Sequence, residues 1–209
     1  MWVVKVGGSL LETCDLRRLL NDIADHGVGK LVIVPGGGVF ADQVRYLQQE
    51  LRIDDMTAHR MALRAMEQFG ELLIAMDPRL HAAKNLESIN DWLEKDLIPV
   101  WYPYDMVADN PAIKASWDIT SDSLSLWLAN CLECKNLALL KPTVPEDEDY
   151  SAMHLSQLGF IDNAFVEMMT DMLVKPWWLF YQQIESFYNL LDHSDGTATG
   201  MKEIVHKKS

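Results

Sequence analysis

The chain has 209 residues, of which 49% are apolar and 23% charged, and its formal net charge is −13 at pH 7. That size and composition suit one soluble domain with a sizeable core, or two small ones. The acidic balance argues against a general nucleic-acid binder or a binder of anionic membranes, and no apolar run of about 18 residues is present to span a bilayer.

The chain enters its first strand at once, without the basic and apolar segments of a signal peptide, so a cytoplasmic protein is expected. Its first stretch is Val3-Val4-Lys5-Val6-Gly7-Gly8-Ser9-Leu10. The β-branched run fits a strand buried on both faces of a parallel sheet. Lys5 is expensive there unless its ammonium leaves at the strand's end or meets an anion. Gly7 and Gly8 let a ligand approach the main chain, and their N–H groups can form a concave anion nest. Lys5, the nest and the Ser9 hydroxyl together make a phosphate cradle. The plainer reading is a strand, a Gly-Gly turn and a lysine at its rim.

Asp15 caps a helix with Leu16, Leu19, Leu20 and Ile23 on one face, which Gly27 and Gly29 stop. Leu31-Val32-Ile33-Val34 is a second buried strand. It ends in Pro35-Gly36-Gly37-Gly38, before a helix carrying Phe40, Val44, Leu47 and Leu51 on one face. A strand, a glycine turn and a helix N-terminus suit an anion, because free N–H groups and the helix dipole point at it.

Residues 58–76 read as a long helix with Ala62, Met66, Phe69 and Leu73 on one face, closed by Asp77-Pro78. A short amphipathic helix over 86–95 and a strand over 97–101 follow. A polar loop over 108–116 leads to Trp117-Asp118-Ile119-Thr120-Ser121-Asp122-Ser123, where another helix is expected to begin. Spaced i and i+4, Asp118 and Asp122 would then share a helix face. As a helix cap and a first-turn acid they would also complement the dipole. A strand over 136–140 ends at Lys141-Pro142-Thr143, and Glu146-Asp147-Glu148-Asp149 is a solvated loop. Beyond it come a helix over 161–173, a strand over 177–181, a helix over 182–191, and a last short strand opening at Gly196-Thr197. Alternating strands and helices place the chain in the α/β class with a largely parallel sheet.

Three cysteines fit a reducing compartment. Cys131 and Cys134 have Cys-x-x-Cys spacing, but no second pair or His pair completes a zinc site, so Cys131 is expected to continue an apolar helix face. Neither glycine stretch has the P-loop spacing. Gly36-Gly37-Gly38-Val39-Phe40-Ala41 meets the loose dinucleotide pattern, but Asp54 and Asp55, at about the spacing of its ribose-binding acid, precede a helix rather than ending a strand. Two glycine cradles on the first two strands are more informative. In a parallel sheet both open at the C-terminal edge and can hold the two ends of a phosphoryl transfer, which relies on positioning and on charge compensation.

Val4-Lys5-Val6-Gly7-Gly8-Ser9, Ile33-Val34-Pro35-Gly36-Gly37-Gly38 and Asp118-Ile119-Thr120-Ser121-Asp122-Ser123 resemble, in order, three signature sites of the amino acid kinase superfamily. The resemblance implies a three-layer αβα sandwich with a central, mostly parallel sheet. It also implies ATP with Mg2+ as cosubstrate, and a homodimer or larger homo-oligomer. Residues 1–209 would form a single domain, with an acceptor lobe over about 1–142 and a nucleotide lobe beyond it. By position, Lys5 would contact the transferring phosphoryl group and Asp122 would orient that lysine. Gly7, Gly8 and Ser9 would bind ATP phosphates; Gly36, Gly37, Gly38 and Asp118 would lie at the acceptor. His59 and Arg60, on the long helix, are candidates for the acceptor's phosphate.

His59-Arg60-Met61-Ala62 and the Trp117–Ser123 phrase further resemble a branch of that family, the [5-(aminomethyl)furan-3-yl]methyl phosphate kinases of methanofuran biosynthesis, with relatives in methylotrophic bacteria. That branch implies conversion of a phosphate monoester to a diphosphate. The alternatives are another phosphate or carboxylate acceptor (isopentenyl phosphate, a nucleotide or an amino acid), or a non-catalytic nucleotide-binding or assembly protein of the same fold. Two departures stand out. Lys141-Pro142-Thr143 replaces an Asp-rich nucleotide loop, and Gly159-Phe160-Ile161-Asp162-Asn163 lacks the second phosphate-binding lysine that many relatives carry. Lys141 and Lys175 are the candidates to replace it.

Overall fold

The computed structural model describes residues 1–13, 15–192 and 200–206. In chain order the strands are β1 (Trp2–Val6), β2 (Leu31–Pro35), β3 (Leu80–Ala83), β4 (Ile98–Trp101), β5 (Asn136–Lys141), β6 (Lys175–Phe180) and β7 (Met201–Glu203). The helices are α1 (Leu16–Gly27), α2 (Gly38–Leu51), α3 (Asp55–Ile74), α4 (Leu86–Glu94), α5 (Tyr104–Val107), α6 (Ser121–Cys131), α7 (Ala152–Gln157), α8 (Asn163–Asp171) and α9 (Glu185–Asp192).

Among the described residues the strands form one sheet, ordered β3-β4-β2-β1-β5-β6-β7. Every pair is parallel except β6 with β7. β1 is central, so its residues have a strand on each side. Lys5 stands beside Val34 of β2 and Leu139 of β5.

Strand alternation divides the core between the two faces of the sheet. Val4, Val6, Ile33 and Leu140 pack with Leu20 and Ile23 of α1, Phe187 of α9 and Phe69 of α3. Val3, Val34, Leu137 and Leu139 pack with Leu124, Leu126 and Leu128 of α6 and with Trp101 and Trp178. This is the expected three-layer αβα arrangement. Lys5 shares the Val3 face, where α6 packs on β1. Its ammonium therefore emerges beneath the start of that helix.

The structure also corrects several expectations. β3, on the sheet edge, was not expected, because Leu80-His81-Ala82-Ala83 has little β-branched content and owes its conformation to pairing with β4. α5 and α7, of four and six residues, are too short to carry a helical period. α3 starts at Asp55 rather than 58, because the Asp54 carboxylate accepts from the Thr57 N–H at 2.9 Å and caps it. Leu51 is 67% exposed rather than part of the buried face of α2. α6 starts at Ser121, so Asp118 lies in the preceding loop and shares no helix face with Asp122. The last strand described is β7; Gly196 and Thr197 lie outside the described residues.

Candidate active site

The two glycine turns meet at the C-terminal edge of β1 and β2. Gly36 N–H donates to the Val6 carbonyl at 2.8 Å, tying one turn to the other. A Cβ at Gly8 would overlap the Cα of Gly38, so the backbones touch where only glycine fits. Gly38 has φ of 51°, a left-handed conformation that glycine adopts without strain. A Cβ at Gly7 would meet Lys5 Nζ at 3.3 Å and Ser9 Oγ at 3.4 Å. The ammonium and the hydroxyl therefore converge on one small space over the glycine backbone.

That space opens into a cavity of about 450 Å³. Lys5, Gly7, Gly8, Ser9, Gly36, Gly37, Gly38 and His59 all line it. α3 supplies an apolar wall of Ala58, Ala62, Leu63 and Met66, and Trp117 and Ile119 close the side formed by the loop before α6. Trp117 is held from α2: its indole N–H donates to Gln48 Oε1 at 2.6 Å, and the Arg45 guanidinium lies 4.4 Å from the ring centroid. Sequence reading did not single out Trp117, Arg45 or Gln48 as site residues, because only the packing of α2 against the loop brings them together.

Beneath the cradle lies a buried charge cluster. Lys5 Nζ is 2.9 Å from Asp122 Oδ1, an ion pair without hydrogen-bond alignment. Lys141 Nζ reaches the other oxygen of Asp122 at 3.0 Å and also donates to the Phe160 carbonyl at 2.5 Å. The three side chains are 5–8% exposed. Burial opposes ionisation of Asp122, but Lys141 and then Lys5 outweigh it, and its pKa is held below the ordinary value. Burial pushes the Lys141 ammonium down to about 8, with Lys5 adding to the fall and Asp122 opposing it. Lys175, the other candidate for a second lysine, lies exposed at the start of β6 and is remote from this cluster.

The remaining expected site residues lie elsewhere. Arg60 pairs with Asp109 at 2.5 Å and does not line the cavity. Asp118 is also outside the lining; its carboxylate accepts from Ser116 Oγ at 2.8 Å and from Asn163 Nδ2 at 3.1 Å, fastening the loop that carries Trp117. Lys141 contacts Asp122 from below and is not part of the cavity wall. Among the described residues no group of three His, Cys, Asp or Glu is assembled to hold a metal, and Cys131 and Cys134 are free, with burial raising both thiol pKa values.

The chain is 32% identical over 140 residues to [5-(aminomethyl)furan-3-yl]methyl phosphate kinase of Methanocaldococcus jannaschii; the match covers 66% of this chain and 64% of that protein, somewhat under two thirds of the relative's length. The fold superposes on uridylate kinase of Archaeoglobus fulgidus with a TM-score of 0.65 at 14% identity, covering 91% of this chain and 94% of that one. It superposes on isopentenyl phosphate kinase with a TM-score of 0.60 at 14% identity, covering 92% and 96%. The sequence pattern of the Amino acid kinase family matches residues 1–143, the part that carries both glycine cradles, Lys5 and Asp122, and the chain belongs to that family.

Proposed function

We propose that the protein is an ATP-dependent small-molecule kinase that transfers a phosphoryl group to a phosphate monoester and so makes a diphosphate. The observation that carries this is the Lys5–Asp122–Lys141 cluster beneath the doubled glycine cradle. Asp122 is clasped between two ammonium groups and held ionised, which makes it a poor general base. A hydroxyl acceptor needs its proton removed, whereas a phosphate monoester arrives largely as an anion near neutral pH, with a second pKa of about 6. Its oxygen attacks the γ-phosphorus, the bond from that phosphorus to the β–γ bridging oxygen breaks, and ADP leaves with the electron pair. No proton moves.

Each residue then has a distinct part. Gly7, Gly8 and Ser9 hold the donor phosphates through backbone N–H groups and the hydroxyl. Gly36, Gly37 and Gly38 restrain the acceptor phosphate at the start of α2. Lys5 compensates charge on the transferring group, Asp122 orients Lys5, and Lys141 holds Asp122 from the opposite side and favours the ATP phosphates electrostatically. The donor set fits a nucleotide phosphate chain, and Mg2+ would enter bound to it and neutralise part of its charge.

His59 adds a buried, neutral-leaning imidazole to the α3 side of the cavity. The side chain lines the cavity yet is only 9% exposed. Burial holds the imidazole below its ordinary pKa, with Arg60 adding to this and the Val107 carbonyl, which accepts from the ring, opposing it. The nitrogen left without a partner is Nε2, an acceptor in the neutral ring. An aminomethylfuran phosphate presents a flat apolar ring, matching the apolar α3 wall. A homodimer or larger assembly also belongs to the proposal. Of Met61, Met66, Phe69 and Leu72, the expected apolar surface of α3, Met66 and Phe69 are buried, Met61 is half-buried and Leu72 is exposed, and exposed Met56 adds to that surface. Sedimentation showing only monomer at micromolar concentration would remove that element.

Mass spectrometry of products from a panel of phosphate and carboxylate acceptors tests the reaction. A diphosphate from the aminomethylfuran phosphate is the expected result. A hydroxylamine-trapped acyl phosphate from carboxylates, with no diphosphate from any phosphate, would establish the carboxylate alternative instead.

A further inference from the structure

Asp162 is a buried carboxylate to which the reaction scheme above gives no part. It stands just before α8, yet most of its bonds go to the start of α6. Its Oδ2 accepts from the Thr120 N–H at 2.8 Å, the Thr120 hydroxyl at 2.7 Å and the Ser123 N–H at 3.0 Å. Its Oδ1 accepts from the Ser123 hydroxyl and from the Phe165 N–H at 3.1 Å. Thr120, the N-cap of α6, makes no capping bond with its own side chain. Asp162 therefore satisfies the helix's free donors from a distant part of the chain.

The partners of Asp162 bracket Asp122. Thr120 lies two residues before it and Ser123 one after it, so the turn carrying the Asp122 carboxylate is fixed on both sides. Neighbours of Asp162 act on the same place. The Phe160 carbonyl accepts from Lys141, the Asn163 amide donates to Asp118, and the Ala164 N–H donates to the Asp118 carbonyl at 3.0 Å. One short segment thus touches the loop before α6, the first turn of α6 and one of the two lysines. Burial raises the Asp162 pKa, with Asp122 adding to this, while the Ser123 and Thr120 bonds oppose it. A group costly to ionise is retained where its acceptor capacity is used by several donors at once.

We propose that Asp162 is a positioning residue: through Thr120 and Ser123 it sets where the Asp122 carboxylate stands between Lys5 and Lys141. The inference rests on the proposed kinase reaction for its kinetic consequence and on geometry alone for its structural one. Asparagine at this position has one carbonyl oxygen and turns an NH2 group toward the donors, so it cannot accept all five bonds. Volume is almost unchanged, which isolates the loss of acceptor capacity. A carboxylate that served only as a helix cap would, when lost, lower stability and leave turnover per folded molecule unchanged.

The test uses the full-length chain, the Asp162→Asn variant and the milder Ser123→Ala variant, with circular dichroism to confirm folding. Turnover is followed as ADP release with the aminomethylfuran phosphate, and crystal structures locate Lys5 and Asp122. In Asp162→Asn, kcat is expected to fall about tenfold or more while both KM values change less than about threefold, the signature of an interaction realised in the transition state. The Lys5–Asp122 ion pair is expected to be broken or displaced in its crystal structure, and Ser123→Ala to lie between it and wild type. In a Lys5→Ala background, Asp162→Asn is expected to remove little further activity, because both act through one unit. An intact ion pair in Asp162→Asn overturns the proposal, as does a loss that multiplies fully with that of Lys5→Ala. If Asp162→Asn does not fold, unchanged kcat and an undisturbed ion pair in Ser123→Ala overturn it equally. Absence of turnover in the wild-type chain with every acceptor would end the kinase reading, and the crystallographic comparison would still decide the inference.

Discussion

A lysine inside a valine strand is the residue on which the site is built. Lys5 is 7% exposed, and its charge is tolerated because Asp122 lies 2.9 Å away. Lys5→Ala should cut turnover by about 10²–10³, the range for loss of one oriented donor, with ATP binding weakened less. Asp122→Asn should cost a similar factor in turnover. It should also destabilise the fold by about 3–5 kcal/mol, because two buried ammonium groups lose their partner. The double variant should be little worse than either single one, and fully multiplicative losses would show that the two act separately. Lys141 adds a pH dependence. Its folded pKa, about 8, lies below its ordinary 10.5, so between those values the unfolded chain holds more protons and this group's contribution to stability rises with pH. Turnover should fall over the lower part of the same window as Lys141 ceases to balance Asp122. Activity and denaturation midpoints measured from pH 7 to 10, beside a Lys141→Met variant lacking both trends, check this. The Lys5–Asp122 pair was legible because a strand lysine demands an anion and the motif supplies one. Lys141's contact with Asp122 was not, since nothing near β5 states how far its side chain reaches. Asp162 was invisible for the same reason, its α6 partners lying 39 to 42 positions away.

Among the elements, legibility followed local periodicity and capping chemistry. α1 begins after Asp15, as expected, because that side chain accepts from the Arg18 N–H and the apolar spacing continues behind it. The start of α3 was misplaced although Asp54 and Thr57 spelled out its cap. The start of α6 was misplaced because its cap comes from Asp162, outside any local pattern. Two consequences can be measured. Asp54→Ala should lower stability, seen as a lower denaturant midpoint with an unchanged slope. Gly8→Ala should impair both folding and function. The added methyl meets the Gly38 backbone, which belongs to the other turn, so the cradle must spread where the proposed reaction would hold ligand phosphates. Turnover should fall by at least about 10²-fold, in line with the sensitivity of phosphoryl transfer to misplacement. Wild-type turnover in a folded Gly8→Ala variant would show that the backbone contact is not needed.

The molecule as a whole joins these parts through one sheet edge. β1 is central and parallel to both neighbours, so the turns after β1 and β2 and the lysine at the end of β5 arrive on the same side of the fold. That convergence was legible from the alternation of strands and helices, since parallel strands joined by helices present their C-terminal ends together. The edge strand β3 was not, because its pairing with β4 is a tertiary decision imposed on alanines of weak strand preference. A ligand held across such an edge couples to the stability of the fold, because the cradle exists only when β1, β2 and α2 are in place. Binding to the folded chain alone stabilises it by about 2.7 kcal/mol at a hundredfold excess over Kd. In a protein of this size each kcal/mol moves Tm by about 2–4 °C, so a non-hydrolysable ATP analogue with Mg2+ should raise Tm by about 5–11 °C. The phosphate acceptor added with it should raise Tm further, because in the proposed reaction the two turns would hold adjoining phosphates of one transfer. Gly8→Ala should abolish most of the first rise. Lys5→Ala, which leaves the backbone cradle intact, should keep part of it. Differential scanning fluorimetry on the three proteins separates these outcomes, and a wild-type Tm indifferent to nucleotide would remove ATP from the proposed reaction.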